Sequence, residues 1–166
     1  MIPGLRIRGA EPADVVPMFS MIVELAEYER AREQITGTPE LLAEALFGPR
    51  RSAEALIAER DRHPAGFALF YSSFSTWECR SGIWLEDLYV PPRERRAGVG
   101  QALLSHLASL AVVRGCPRLE WSALDWNALA LDFYAKIGAE RLPEWQLHRL
   151  SGEALRELAR GSDVDP

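Results

Sequence analysis

A short basic turn containing two glycines is the part of the chain whose residue types point most directly to chemistry. It reads Arg95-Arg96-Ala97-Gly98-Val99-Gly100-Gln101 and lies between a strand-like segment and an amphipathic helical pattern. Glycines let a ligand approach the backbone closely, and the N–H groups and dipole of a first helical turn attract an anion. The turn therefore predicts a site for a phosphorylated cofactor. A solvated basic turn before a helix is the alternative interpretation.

The glycine spacing excludes the commoner phosphate loops. A Walker loop ends in Gly-Lys-Ser or Gly-Lys-Thr, and the chain contains neither. The dinucleotide fingerprint needs a third glycine at position 103, where this chain has Leu103. What remains is Arg-x-x-Gly-x-Gly, formed by Arg95, Gly98 and Gly100. This pattern alone leaves the ligand open.

Composition indicates a single globular domain of enzyme size. The 166 residues are 48% apolar and carry a formal net charge of −5, which disfavours nucleic acid as the main partner. We expect no membrane span and no signal peptide, because no sufficiently long apolar run occurs. Cys79 and Cys116 have no metal-like or redox-like spacing, so we expect free thiols, no metal and a cytoplasmic protein.

The residue patterns predict the order β-α-α-β-β-β-α-β-α-β with a short terminal helix, a mixed α/β fold. We expect one domain over 1–166, with its core at about 5–158. Predicted strands lie near 5–8, 54–59, 66–72, 82–90, 119–123 and 145–150. Predicted helices begin near Pro12, Thr38, Gly98, Asn127 and Gly152, and the second and fourth of them end at Gly48 and Gly138.

Several segments in this order resemble the GCN5-related N-acetyltransferase (GNAT) family and, within it, the diamine (spermidine/spermine) and thialysine acetyltransferases. The resemblance covers nearly the whole chain. Beside the glycine turn, the segments that carry it are Glu24–Glu29, Trp84–Val90, Asp125–Asn127, Asp132–Ala139 and Glu144–Trp145. It implies a mixed, mostly antiparallel sheet that splays near its middle, is flanked by helices and admits acetyl-CoA into the gap.

The resemblance also assigns the residues that would bind acetyl-CoA. The backbone of Leu88, Tyr89 and Val90 would hold the pantetheine arm and the thioester carbonyl. The N–H groups of Arg96–Gln101 would hold the pyrophosphate, with Arg95 as the basic residue of the motif. Asn127 and Lys136 would add further contacts. The alternatives are core packing for Leu88 and Val90, a helix cap for Asn127 and a solvated lysine at position 136.

Acetyl transfer to an amine needs a deprotonated nucleophile and a protonated leaving thiolate, which two residues could provide. Glu86 is the first candidate for the base, directly or through water, and Tyr134 is the candidate for the acid. Strict alternation places Glu86 and Leu88 on one face and Asp87 and Tyr89 on the other, although a bulge would change that phase. A solvated acidic pair and a core tyrosine are the alternatives.

Acidic and aromatic side chains at further motif positions suit a small cationic amine such as a diamine, a polyamine or lysine-like thialysine. By resemblance this pocket comprises Tyr28, Glu29, Glu86, Asp87, Glu120, Trp121, Ser122 and Glu144. A protein lysine or N-terminal acetyltransferase and a non-catalytic acyl-CoA-binding module are the competing interpretations. The resemblance further implies a homodimer, with Trp145–Leu150 as a candidate interface strand.

Overall fold

A computed structural model describes residues 2–161 of the chain. These residues form two compact units, divided between Ser122 and Ala123. The first unit contains five strands and three helices, and the second contains two helices.

The first unit is built on one five-stranded sheet in which the strands lie in chain order. Neighbouring strands pair antiparallel, except that the last two pair in parallel. The sheet is therefore mixed and mostly antiparallel, as predicted. Its strands are β1 Leu5–Gly9, β2 Glu54–Arg60, β3 His63–Ser75, β4 Arg80–Tyr89 and β5 Leu119–Trp121.

Helices α1 Val15–Tyr28 and α2 Pro39–Phe47 begin where the sequence predicts. Pro12 opens a 3-10 turn that leads into α1, and the Thr38 hydroxyl accepts a hydrogen bond from the Leu41 N–H at 3.3 Å. The core on this side of the unit joins both helices to strands β2, β3 and β4. Its buried members include Met18, Ile57, Phe67 and Tyr89.

Helix α3, Val99–Val113, packs against strands β1 to β4. It buries the apolar residues that recur at helical spacing, which are Val99, Leu103, Leu104, Leu107 and Ala111. The helix thereby fixes the glycine turn at its N-terminus relative to the end of β4.

The β2–β3 connection is tighter than predicted. We expected a turn over residues 60–65, but β3 already begins at His63. Asp61 and Arg62 make the turn with φ of 50° and 67°, the left-handed backbone that two-residue hairpins favour. A hairpin this short lets β3 pair with β2 along its first residues.

The second unit contains helices α4 Ala128–Lys136 and α5 Gly152–Ala159. The Asn127 side chain accepts a hydrogen bond from the Ala130 N–H at 3.3 Å, so the predicted helix cap is confirmed. The predicted last strand at 145–150 is wrong, since residues 146–150 are irregular and pair with no described strand. Alternating apolar residues form a strand only where a neighbour completes the ladder.

Candidate functional site

The pairing of strands β4 and β5 ends close to the segment where the sequence predicts the cofactor site. Their parallel pairing covers Ile83–Leu85 of β4 and ends at the pair Leu85 and Trp121. Strand β4 then continues to Tyr89, and over 87–89 it pairs with β3. Backbone groups on the β5 side of this segment are consequently available to a ligand.

A β-bulge lies in β4 just beyond the last residue that pairs with β5. Leu85 pairs with Phe70 and Asp87 with Leu69, so Glu86 is the extra residue. The Glu86 carboxylate accepts a hydrogen bond from the Trp84 indole N–H at 3.1 Å. Trp84 and Asp87 share a face because their partners on β3 are two residues apart. The alternation that put Glu86 and Asp87 on opposite faces is therefore wrong, since the bulge brings both carboxylates to one side.

Three carboxylates predicted for the amine pocket are electrostatically coupled here. Burial, together with the negative charges of Glu86 and Glu29, raises the pKa of Asp87 to about 6. Partial burial also raises the pKa of Glu29, at the C-terminal end of α1. The raised pKa values show that negative charge is unfavourable at this site. A cationic ligand is therefore favoured, because it would relieve the repulsion between the carboxylates.

The glycine turn has the backbone that close approach to an anion requires. Arg96 and Gly98 adopt left-handed φ values of 62° and 80°. The first i to i−4 bond of α3 joins the Ala102 N–H to the Gly98 carbonyl at 2.9 Å, so the preceding N–H groups belong to the open first turn. Upstream, Glu94 pairs with Arg60 of β2 at 3.0 Å and ties the loop to the sheet.

Arg95 is engaged with protein groups on two elements. Its Nε donates to the Val90 carbonyl at 2.9 Å, and its guanidinium carbon lies 4.9 Å from the ring centroid of Tyr28. The same carbon lies 5.8 Å from the ring of Tyr89. These contacts place Tyr28 of α1 beside the end of β4. Arg95 therefore contributes to the structure of the site as well as to its charge.

Glu24 is a residue of this region that sequence reasoning did not single out. Its carboxylate accepts a hydrogen bond from the Tyr89 hydroxyl at 3.0 Å. Burial and this bond raise the pKa of Tyr89 to about 12. The only sequence signal was its place in the segment Glu24–Glu29, one turn of α1 before Tyr28.

The remaining predicted residues lie on β5 or in the second unit. Glu120 lies opposite Trp84 and forms an ion pair with Arg118 at 2.8 Å, which partly neutralises its charge. Trp121 ends β5, and Ser122 follows it exposed to solvent. In the second unit, Tyr134 is half-buried on α4 with its ring centroid 5.6 Å from that of Phe133, and Lys136 and Glu144 are exposed. Helical spacing puts Asn127, Leu131 and Tyr134 on one side of α4.

Within residues 2–161, no group of three or more His, Cys, Asp or Glu side chains is arranged to hold a metal ion. Over the same residues, no helix is long and apolar enough to cross a membrane.

Comparison with known proteins agrees with this geometry. The sequence profile of the Acetyltransferase (GNAT) family matches residues 20–139. The thialysine N-epsilon-acetyltransferase of Bos taurus is 38% identical over 164 residues, which are 92% of this chain and 96% of that protein. The L-ornithine N5-acetyltransferase of Arabidopsis thaliana is 29% identical, covering 92% of this chain and 87% of its own. An integron cassette protein of Vibrio cholerae superposes with a TM-score of 0.80 at 26% identity, over 95% and 98% of the two chains. A mixed, mostly antiparallel sheet, a glycine turn that opens a helix and these similarities together identify the chain as a member of the GNAT family of acetyltransferases.

Proposed function

We propose that this acetyltransferase moves an acetyl group from acetyl-CoA to a primary amine of a small cationic substrate by direct attack. The observation that carries the proposal is the bulge at Glu86, which groups Glu86 and Asp87 with Glu29 beside the open end of β4. A cluster of carboxylates at that position suits an ammonium ligand. The relatives that act on thialysine and ornithine support a small amine over a protein substrate.

The described residues fit acetyl-CoA. Backbone groups of Leu88–Val90 follow the end of the pairing with β5, and the turn Arg95–Gln101 carries left-handed backbone before the open first turn of α3. We propose that Leu88–Val90 hold the pantetheine arm and that the N–H groups of Arg96–Gln101 hold the pyrophosphate, with Asn127 and Lys136 as further contacts. Acetyl-CoA supplies the acetyl group as a reactive thioester.

Side chains of the protein accept and donate the protons of the reaction in this proposal. A free amine of lysine type has a pKa near 10.4, so at neutral pH it arrives as an ammonium ion. We propose that Asp87 and Glu29 attract this cation and that Glu86 accepts its proton, directly or through water. Tyr134 donates a proton to the departing thiolate. Its support is the motif Asp132–Ala139, which the family profile covers in full. Neither cysteine lies in a motif, so we propose no acyl-enzyme.

The substrate class is tested by measuring CoA release with thialysine, ornithine, 1,3-diaminopropane, spermidine and a lysine-containing peptide. We expect at least one small amine to exceed the peptide in kcat/KM by roughly tenfold, the effect of one charge-assisted hydrogen bond. A preference for the peptide would instead indicate a protein acetyltransferase. Binding of CoA without turnover of any amine would indicate a non-catalytic module.

Replacing Glu86 tests its role as the base. We expect Glu86→Gln to lower kcat at pH 7 by about 10²-fold, the usual contribution of a positioned base. The loss should shrink toward pH 10, because more of the amine is then already deprotonated. Glu78→Gln, in the exposed β3–β4 turn, removes the same charge and should leave the rate unchanged. A defect independent of pH would show that Glu86 binds the amine instead.

Substituting alanine for each of the two glycines of the turn should have opposite effects on stability but the same effect on cofactor binding. Gly98→Ala should destabilise the fold by about 1–2 kcal/mol, because φ is 80° there and the new Cβ would lie 3.0 Å from Ile2 Cδ1. Gly100→Ala should stabilise α3 by up to about 1 kcal/mol, since its Cβ would meet Val90 at an ordinary 3.7 Å. Both should weaken acetyl-CoA binding if the backbone approaches the pyrophosphate. Calorimetric titration with CoA checks this, and unchanged affinity in Gly100→Ala would contradict the assignment.

We further propose that the chain forms a homodimer in a reducing, cytoplasmic setting. Trp145, Leu147 and Leu150 expose apolar side chains in an irregular segment that pairs with no described strand. A second copy could complete that ladder. Cys79 and Cys116 are free thiols, which suits a reducing compartment. Light scattering of the purified chain measures the oligomeric state, and a monomer at micromolar concentration would contradict the dimer.

A further inference from the structure

Arg95 is the basic residue of the glycine motif, but its side chain contacts protein groups, which are the Val90 carbonyl and the rings of Tyr28 and Tyr89. We propose that Arg95 is a positioning residue that holds the amine-binding end of α1 against the end of β4, and that it is not a ligand of the pyrophosphate. The inference rests on the proposed function, because it concerns the amine pocket and cofactor turn of the same site.

The first step is that the guanidinium is already held from two sides. Its Nε donates to the Val90 carbonyl at 2.9 Å, which uses one of the five donor N–H bonds and fixes the plane of the group. Its carbon lies 4.9 Å from the ring centroid of Tyr28 and 5.8 Å from that of Tyr89. A planar guanidinium that contacts two rings and donates to a carbonyl has a set orientation, which a lysine could not reproduce.

The second step is that these contacts complete a connection between α1 and β4. Glu24 and Tyr28 lie one helical turn apart on α1. The Tyr89 hydroxyl donates to Glu24 at 3.0 Å, and Arg95 joins Tyr28 to Val90. Two separate links therefore fix the end of α1, where Glu29 follows Tyr28, relative to the strand that carries Asp87.

The third step concerns the phosphate. The N–H groups of the first turn of α3 and the neighbouring Arg96, with its left-handed φ of 62°, remain for the anion. Arg95 is thus not required as an anion ligand. One consequence is that the face of Tyr28 toward Arg95 is occupied by a cation of the protein. Tyr28 then serves the amine as a wall of the pocket.

The experiment compares two acetyl donors. Acetyl-pantetheine ends before the pyrophosphate, whereas acetyl-CoA contains it. We expect Arg95→Gln to raise the KM of thialysine about five- to twentyfold with either donor, from the loss of a charge-assisted hydrogen bond and a cation–π contact. The ratio of kcat/KM for acetyl-CoA to kcat/KM for acetyl-pantetheine should stay within about twofold of the wild-type ratio. The reason is that removing a side chain that does not bind the pyrophosphate costs no binding energy with either donor.

Matched variants distinguish the loss of the specific contacts of Arg95 from the loss of a positive charge in the same loop. Arg93→Gln removes an exposed arginine of the same loop and should leave the KM of thialysine unchanged. Arg95→Lys keeps the charge but not the planar group, so it should restore the KM only in part. The double variant Arg95→Gln with Tyr28→Leu should raise the KM of thialysine by less than the product of the two single-variant factors, because both substitutions remove the same contact.

A loss confined to acetyl-CoA would show that Arg95 binds the pyrophosphate and would overturn the inference, as would an unchanged KM for thialysine. Calorimetric binding of thialysine to the CoA-loaded wild-type and Arg95→Gln proteins gives the same comparison without turnover. If the wild-type protein acetylates no amine, the proposed function fails. The calorimetric comparison still decides the role of Arg95: weaker thialysine binding in the variant supports it, and equal binding or no binding to the wild type overturns it.

Discussion

Tyr134→Phe should lower kcat for acetyl transfer by about 10²-fold or more, while the KM of acetyl-CoA changes only a few-fold. The substitution removes one hydroxyl and keeps the ring, so the packing of Tyr134 against Phe133 is preserved. A phenol with a pKa near 10 and a thiol near 8.5 differ by about 2 kcal/mol in proton affinity. Complete transfer before the bond breaks is therefore uphill, and we expect the proton to move as the thiolate departs.

A change of leaving group distinguishes this role from a binding role. An acetyl thioester of an aromatic thiol, which is a much stronger acid, needs no proton donor on departure. The ratio of wild-type to Tyr134→Phe rates should therefore approach one with that donor. If the variant keeps full turnover with acetyl-CoA, or loses rate equally with both donors, Tyr134 is not the acid.

Asp87→Asn should produce a protein that is more stable but less active. The charged carboxylate attracts the ammonium substrate, so we expect the KM of thialysine to rise by about 10- to 100-fold, as a lost charge-assisted bond of 1.5–3 kcal/mol predicts. In the wild type, kcat/KM for the amine should fall as the pH drops through about 6, where Asp87 takes up a proton. That limb of the pH profile should be absent from the variant.

The stability effect follows from the sign of the pKa shift. The pKa of Asp87 rises from 3.8 to about 6 on folding, so between these values the folded state binds more protons than the unfolded state. Stability is then largest below pH 3.8, falls as the pH rises to about 6, and stays reduced above it. The shift corresponds to at most about 3 kcal/mol at pH 7.5. Asn carries no charge, so the variant should recover much of this energy and gain roughly 3–10 °C in Tm.

Asp61→Asn is the matched control for Asp87→Asn. Asp61 is exposed in the β2–β3 turn, and its left-handed backbone suits Asn equally well. We expect its Tm and the KM of thialysine to match the wild type. Thermal unfolding of both variants at pH 5 and pH 7.5 measures the effect. A stabilisation of Asp87→Asn that is equal at both pH values, or a destabilisation, would contradict a costly charge at position 87.

Local sequence signals predicted the helices well because their causes are local. Thr38 and Asn127 cap α2 and α4 through hydrogen bonds to N–H groups three residues away, and such short-range bonds can be anticipated from spacing. The glycine turn was anticipated for the same reason, since few residues other than glycine adopt φ near 80° at low cost. The strands of the antiparallel sheet followed from their alternation and apolar content.

Features that depend on distant partners were not predictable. The bulge at Glu86 is set by the register of β4 against β3, and no glycine marks it in the sequence. Residues 146–150 lie in the segment predicted as the last strand, yet a strand exists only where a neighbour supplies hydrogen bonds. Arg95 was anticipated as a basic group, but its contact with Tyr28 depends on how α1 packs. For the site, therefore, the sequence predicts the residue types, and the pairing of the strands determines which carboxylates act together.

Direct transfer to a small amine is tested most plainly by one mass measurement. The protein is mixed with acetyl-CoA and thialysine in equal amounts, and the masses of the amine and of the intact protein are recorded as CoA is released. We predict one acetyl group on the side-chain amine for each CoA released, with the protein mass unchanged throughout. An acetyl group accumulating on the protein, or CoA released without acetylated amine, would contradict the account.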